Sequence, residues 1–148
     1  MVIEITQEDM FYFSEFEKLT KVMPLDYHKS ENALFFIVEV KNLGKAIGKE
    51  AINIQRLSRF FKQKVFVLGD FNDVEVFLRS FFSGIDVISI EVRNIMGQNN
   101  IVVTVAEEHR GLAIGKNGDK IKAAKVLLQK RFNALITLRT STKSNKNM

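Results

Sequence analysis

The chain has 148 residues, of which 46% are hydrophobic, and its formal net charge is +5 at pH 7. It contains no cysteine, which excludes disulfide bridges and thiolate metal sites and is typical of a reducing compartment. Because no run approaches the roughly 18 apolar residues that cross a membrane, we expect a cytoplasmic protein without membrane contact.

The first part of the chain predicts the order helix, strand, strand, helix, helix, strand. Thr6 and Asp9 form a capping-box pattern, so we expect a helix that begins here and ends near Lys21. Two extended runs follow, at 22–28 and 34–40. The predicted order closes with a short helix, a glycine-containing loop, a longer helix over 51–61 with Ile54, Leu57 and Phe61 inward, and a strand over 65–68.

The rest of the chain predicts the same order a second time. Its elements are a helix over 73–82, a strand with Ile88, Ile90 and Val92, a turn at 97–99, a strand with Ile101, Val103 and Val105 facing inward, a helix over 119–132 with Ile121, Ala124, Leu128 and Phe132 inward, and a strand over 134–138. Residues 141–148 are polar and aperiodic, which predicts a disordered tail.

These patterns predict a mixed α/β fold (α+β class) with two domains, one over residues 1–70 and one over residues 71–140. Each would hold a three-stranded sheet with helices packed on one face. One short string occurs in both, as Gly-Lys-Ala-Ile-Gly-Lys over 44–49 and Gly-Leu-Ala-Ile-Gly-Lys over 111–116. Since self-similarity at a fixed spacing marks a duplicated unit, we expect two copies of one module.

Positive charge is concentrated around both copies of the string. Residues 1–70 carry ten basic and ten acidic side chains, whereas residues 71–148 carry twelve and seven. In the second copy only Asp119 opposes a basic set, which consists of Arg110, Lys116, Lys120, Lys122, Lys125, Lys130 and Arg131. Both glycine turns are therefore expected to face an anionic partner.

Two glycines, Gly115 and Gly118, lie three positions apart between two predicted helices. Helix ends offer free N–H groups to an anion, and glycine lets a sugar-phosphate backbone approach closely. This string resembles the GxxG loop of a KH domain, and the order of elements resembles the prokaryotic, type II form. A tandem pair in so short a chain resembles the archaeal NusA-like transcription factors over roughly residues 1–140.

The resemblance implies a protein that binds single-stranded RNA and acts in transcription termination or antitermination, with RNA polymerase as a further partner. It assigns RNA contact in the second unit to a set of neighbouring residues, Ile114, Gly115, Lys116, Asn117, Gly118, Lys120 and Ile121. In the first unit Ala51 replaces the second glycine and Glu50 adds a negative charge. We therefore expect only a secondary contribution there, from Lys45, Gly48, Lys49 and Arg56.

Two other interpretations of the binding function stay open. One is an adaptor that docks on RNA polymerase or on a ribosome-assembly intermediate and uses its KH surfaces for protein contact. The other is a KH-pair factor that binds RNA in ribosome biogenesis or RNA decay. The degenerate first loop, with Glu50 and Ala51, makes protein contact credible for that half.

Enzymatic interpretations fit the sequence poorly. A phosphate-binding P-loop needs four residues between Gly and Gly-Lys, followed by Ser or Thr, whereas here three residues intervene and Asn117 or Glu50 follows. His28 and His109 lie in no metal-ligand spacing. The sequence therefore predicts a non-enzyme with no catalytic residue, metal, cofactor or small-molecule substrate.

Overall fold

A computed structural model describes residues 4–142 of the chain. The chain divides into two compact units, Met1–Phe71 and Asn72–Met148. Each unit contains one three-stranded sheet together with its own helices. The predicted mixed α and β class, with two sheet units, is confirmed.

The first unit follows the predicted order of elements. These are α1 (Gln7–Thr20), β1 (Asp26–Lys29), β2 (Ala33–Val38), α2 (Leu43–Ile47), α3 (Ile52–Phe61) and β3 (Lys64–Gly69). Strand β2 lies in the centre of the sheet, antiparallel to β1 and parallel to β3. All six residues of β2 are buried.

Helix α1 begins with the predicted capping box. The Thr6 hydroxyl accepts the Asp9 amide at 3.0 Å, and the Asp9 carboxylate accepts the Thr6 amide at 3.1 Å. Two amides that the helix cannot pair are thereby satisfied. The helix ends at Thr20, and the left-handed backbone of the next residue, Lys21 (φ 63°), stops the hydrogen-bond ladder.

Apolar side chains from α1, α3 and one face of β2 form the core of the first unit. Phe16 of α1 lies against Phe36 of β2 with ring centroids 4.4 Å apart, and both are fully buried together with Leu57 of α3. The predicted inward position of Leu57 is confirmed, whereas Ile54 is only half-buried. Ile54 is therefore left at the edge of the core.

The bounds predicted for the first two strands were wrong by several residues. Strand β1 begins at Asp26, four residues after the predicted start at Val22, because Pro24 lacks the N–H that would extend the ladder. Strand β2 ends at Val38, and Val40 already lies in a 3-10 turn over Val40–Asn42. That turn leads into α2 and so positions the first copy of the repeated string.

The second unit repeats this architecture. Its elements are α4 (Val74–Phe81), β4 (Val87–Ile95), β5 (Gln98–Ala106), α5 (Arg110–Ile114), α6 (Asp119–Phe132) and β6 (Ala134–Ser141). The central strand is β5, antiparallel to β4 and parallel to β6. The predicted inward face of β5, made of Ile101, Val103 and Val105, is buried. Helix α6 buries Ala124 and Leu128 as predicted.

The predicted turn and some of the predicted inward positions of the second unit were wrong. The hairpin turn lies at Met96 and Gly97, not at 97–99, because Ile95 already pairs with Gln98. Both turn residues have positive φ (52° and 83°), which is typical of the two-residue hairpin turns whose twist matches that of the strands. Ile121 and Phe132, both predicted to face the core, are half-buried. The side chain of Ile121 is therefore left for the groove described below.

The C-terminal strand is longer than predicted. Strand β6 continues to Ser141, which pairs with Ala106, so the polar residue assigned to the start of a tail belongs to the sheet. The rest of the predicted tail, from residue 143 onward, lies outside the described residues. Within residues 4–142 no helix combines the length and apolarity that a membrane crossing requires.

Candidate nucleic-acid interface

The second copy of the repeated string forms a tight loop between α5 and α6. The Gly115 amide donates to the Gly111 carbonyl at 2.9 Å, which closes α5, and the Gly118 amide donates to the Gly115 carbonyl at 3.0 Å. Asn117 and Gly118 have left-handed backbone, with φ of 55° and 76°. The loop thus reverses the chain within four residues, Gly115 to Gly118.

Gly115 can be replaced by no other residue without strain. Its backbone lies at φ 78° and ψ 172°, a region that only glycine populates readily. A Cβ atom there would lie 2.8 Å from the Lys120 Cβ and 2.9 Å from the Lys120 backbone nitrogen. Glycine therefore allows the loop to lie directly on the first turn of α6.

Lys116 and Asn117 form the exposed tip of this loop. Across residues 4–142 their amide N–H groups find no hydrogen-bond acceptor. Unpaired amides beside the start of the 14-residue helix α6 carry partial positive charge, which the Lys116 ammonium reinforces. The tip is thus accessible and suited to an anion such as a phosphate.

A groove of about 730 Å³ lies beside the loop and is bounded by α5, α6 and β6. Its apolar lining comes from Ile114, Ile121, Ile136 and Leu138. Among residues 4–142 strand β6 pairs only with β5, so its other edge is free of strand pairing within this range. An open strand edge beside apolar walls can accept a flat ring and offer it backbone hydrogen bonds.

Three cations also line the groove, namely Arg110 of α5, Lys125 of α6 and Arg139 of β6. All three side chains are exposed. In the part of the chain that the structure describes, none of them forms a salt bridge or a side-chain hydrogen bond. Converging cations without an internal partner give the groove a positive potential toward a ligand.

The structure brings together most of the residues that the sequence assigned to the second unit. Ile114 and Ile121 line the groove, and Gly115, Lys116, Asn117 and Gly118 form the adjoining loop. Lys120 differs, because its Nζ atom lies 5.3 Å from the centre of the Phe81 ring. Its ammonium therefore contacts α4, and Lys120 is not among the residues that line the groove.

The first loop adopts nearly the same backbone as the second. Gly48 lies at φ 80° and ψ 166°, close to the 78° and 172° of Gly115. Glu50 (φ 54°) and Ala51 (φ 59°) reproduce the left-handed pair formed by Asn117 and Gly118. The two loops therefore share one shape although the second glycine of the first loop is lost.

The chemistry of the first unit differs at the groove positions. Counted from the loop glycine in each copy, Leu43 takes the place of Arg110 and Ser58 takes the place of Lys125. On the closing strand of the second unit Arg139 pairs with Thr104 of the central strand. At the equivalent position of the first unit Leu68 pairs with Ile37. All three groove cations of the second unit are thus replaced by uncharged residues.

The candidate residues of the first unit are spread over more than one face. Lys45 on α2 and Lys49 at the loop are exposed beside Gly48. Arg56 lies two positions after Ile54 on α3, which is about 200° around the helix. Since Ile54 corresponds to the groove residue Ile121, Arg56 faces away from the equivalent surface.

Comparisons with known proteins agree with this geometry. A family model described as "KH domain" matches residues 72–146, which is the second unit with its loop and groove. The chain belongs to the KH domain family. In KH domains a GxxG loop clamps the backbone of about four nucleotides, and the loop Gly115–Gly118 has this form.

Similar proteins extend the likeness beyond the KH match. The crystal structure of APE1850 is 31% identical, covers 93% of this chain and 100% of its own, and superposes with a TM-score of 0.70. Proteins named "Probable transcription termination protein NusA" match from Methanococcus vannielii, at 27% identity over 84% of this chain and 72% of the relative, and from Thermoplasma acidophilum, at 26% identity over 88% and 91%. The first unit is included in these broader matches.

Sequence reasoning missed the cations that line the groove of the KH domain. In the sequence Arg110 and Lys125 stand out only as part of a basic segment, and Arg139 lies outside that segment. The sequence did hold a signal for Arg139, because the first copy has Leu68 at the equivalent position of its closing strand. Only the strand register, with Arg139 opposite Thr104, places this residue at the groove.

Proposed function

We propose that this protein binds single-stranded RNA through the KH domain of its second unit. The observation that carries the proposal is the pairing of an exposed GxxG tip with a groove lined by three cations that have no partner within residues 4–142. The loop holds the sugar-phosphate backbone through Lys116 and the free amides of Lys116 and Asn117. The apolar groove then receives the bases of the same strand.

The role proposed for this binding is in transcription termination or antitermination, with RNA polymerase as a protein partner. The support is the relatives named as probable transcription termination proteins NusA, which match along most of this chain. Such a factor works by capture of RNA and requires no bond-breaking chemistry. Its location is proposed to be the cytoplasm, as expected from the sequence.

Residues 1–70 are proposed to form a second KH domain with a degenerate loop, and residues 71–140 to form the main RNA-binding domain. The matching backbone of Gly48 and Gly115 supports the duplication. Glu50 at the loop tip repels phosphate, and the groove positions Leu43, Ser58 and Leu68 carry no charge. The first unit is therefore assigned a minor part in RNA binding.

These same features favour a second candidate function for the first unit alone, contact with a protein. The first loop keeps its shape, but Glu50 offsets the charge of Lys49, so the loop has lost the net positive charge that favours phosphate binding. Protein contact by the first unit is compatible with RNA capture by the second. An adaptor that used both units for protein contact would bind RNA weakly at every ionic strength.

The salt dependence of RNA affinity tests the proposed function. For single strands the logarithm of affinity falls against the logarithm of salt with a slope of about −0.7 for each phosphate neutralised. Three or four contacts from the loop and groove predict a slope of about −2 to −3 in a fluorescence anisotropy titration. Absence of binding at low salt, or a flat slope, would refute RNA capture.

A further inference from the structure

The groove wall formed by strand β6 differs from the walls formed by helices α5 and α6, and this difference affects which bases can bind. The wall formed by β6 consists of five consecutive lining residues, from Ile136 to Thr140. Arg139 lies within this run, with Leu138 and Thr140 on either side. The strand is fixed by its parallel ladder to β5, in which Arg139 pairs with Thr104. The arginine therefore starts from a rigid part of the groove.

We infer that Arg139 makes the groove selective for bases with two adjacent hydrogen-bond acceptors, which are guanine and cytosine. The inference rests on the proposed function and specifies its ligand. It assigns Arg139 as a specificity-determining residue, distinct from the loop residues Lys116 and Asn117 that hold the backbone.

The chemistry of the guanidinium group supports this choice. It is planar, always charged, and carries five N–H donors in a fixed fork with no acceptor. Guanine presents the acceptors O6 and N7 side by side, and an arginine binds this pair with two hydrogen bonds. Unpaired cytosine likewise presents O2 and N3 on its exposed Watson–Crick edge.

Adenine and uracil lack such a pair. Adenine places its N6 amino donor next to N1 on one edge and next to N7 on the other, and uracil places its N3–H donor between O2 and O4. An arginine fork aimed at either base would meet a donor and leave one N–H unsatisfied. In a partly enclosed groove an unmade hydrogen bond carries the cost of desolvation without compensation.

The other two groove cations fit a different task. Lys125 is a compact point charge, which attracts a phosphate or an acceptor without the geometry of a fork. Arg110 opens the short helix α5, five residues before the loop glycine Gly115, and so lies next to the backbone-binding loop. Of the three, Arg139 alone belongs to the strand that forms the base-binding wall.

The test uses the full chain and four short RNAs, each a run of uridines in which one central position is A, C, G or U. We expect the RNAs with C or G to bind about tenfold more tightly than those with A or U, a value within the range of a bidentate arginine–base pair. R139K keeps the charge but removes the fork, so the preference should fall to about twofold or less. Circular dichroism verifies that the variant is folded.

Lys125→Gln is the matched control, because it removes a groove cation that has no fork. It should weaken all four RNAs by the same factor and leave the preference intact. If all four RNAs bind the wild type equally, or if R139K retains the preference, the inference is overturned while RNA binding stands. If none of the four RNAs binds at low salt, the proposed function falls and the inference falls with it.

Discussion

Ala51 and Gly118 occupy the same position in the two loops and both hold left-handed backbone, with φ of 59° and 76°. Alanine carries a steric penalty of about 1 to 2 kcal/mol in this conformation, which glycine does not. The first loop keeps its shape despite that penalty, so the surrounding helices α2 and α3 hold it in place. The degenerate loop is therefore strained, not rearranged.

Relief of this strain gives the first prediction. Ala51→Gly should raise the free energy of unfolding of the first unit by about 1 kcal/mol, after allowance for the greater freedom of glycine in the unfolded chain. The chain has two tyrosines, Tyr12 and Tyr27, and no tryptophan, so tyrosine fluorescence in a urea titration reports on the first unit alone. A lower urea midpoint of unfolding for the variant would contradict the assignment of a left-handed backbone to Ala51.

Two glycines of the second copy form a matched pair for the next prediction. Gly115→Ala should destabilise the protein by about 2 to 3 kcal/mol and weaken RNA binding, because the new Cβ would clash with Lys120 in a backbone region reserved for glycine. Gly111 lies inside α5, and a Cβ there would meet nothing within 4 Å. Gly111→Ala should therefore be neutral or stabilising by up to about 1 kcal/mol.

Urea titration followed by circular dichroism, together with RNA anisotropy, distinguishes these two variants. The duplicated-loop geometry requires that only Gly115→Ala loses stability. Equal effects of the two substitutions would mean that the loop does not need glycine at its first position. That result would also leave unexplained why the first loop position is glycine in both copies, Gly48 and Gly115, although the last position of the first loop is Ala51.

The third prediction concerns stability at high pH. The Tyr27 hydroxyl donates to the Asp9 carboxylate at 2.7 Å, which joins β1 to the start of α1. Burial, the hydrogen bond and the negative charge of Asp9 raise the pKa of Tyr27 well above its usual value of 10.0. The protonated phenol thus stabilises the fold.

Because the folded pKa of Tyr27 is the higher one, its contribution is complete below about pH 10 and is lost as the pH rises above that value. Tyr27→Phe should cost about 1 kcal/mol at pH 7 through loss of the hydrogen bond. It should also flatten the decline of stability between about pH 10 and 11. Urea titrations by circular dichroism at about pH 7, 10 and 11 measure both effects, and parallel curves for wild type and variant would contradict the mechanism.

Local and periodic signals in the sequence predicted much of the fold. The capping box of Thr6 and Asp9 fixed the start of α1, since both bonding partners lie within one turn. Alternation placed Ile101, Val103 and Val105 in the core of the second unit, because a strand buries every second residue on the same face. The repeated string indicated two units because both copies lie at the same place in the order of elements.

Features that depend on an uncommon backbone conformation or on long-range pairing escaped prediction. The hairpin turn uses Met96 in a left-handed conformation, which is uncommon for this residue type, so the glycine-based prediction was displaced. His109 resembles an ordinary surface or turn residue in the sequence, yet its Nδ1 atom accepts the Asp86 amide at 2.8 Å across 23 positions. Arg139 joins the groove only through strand register. Such contacts leave no trace in local periodicity.

The most direct test of RNA capture by the second loop is an anisotropy titration of single-stranded RNA with wild type and Asn117→Asp. Aspartate tolerates the left-handed backbone of residue 117, so the change adds a negative charge to the exposed tip with little effect on the fold. Glu50→Gln in the first loop is the control and should leave the affinity within about twofold. We predict that Asn117→Asp lowers the affinity at least about tenfold with an unchanged circular dichroism spectrum, whereas normal binding by the folded variant would contradict the assignment of this loop as the RNA clamp.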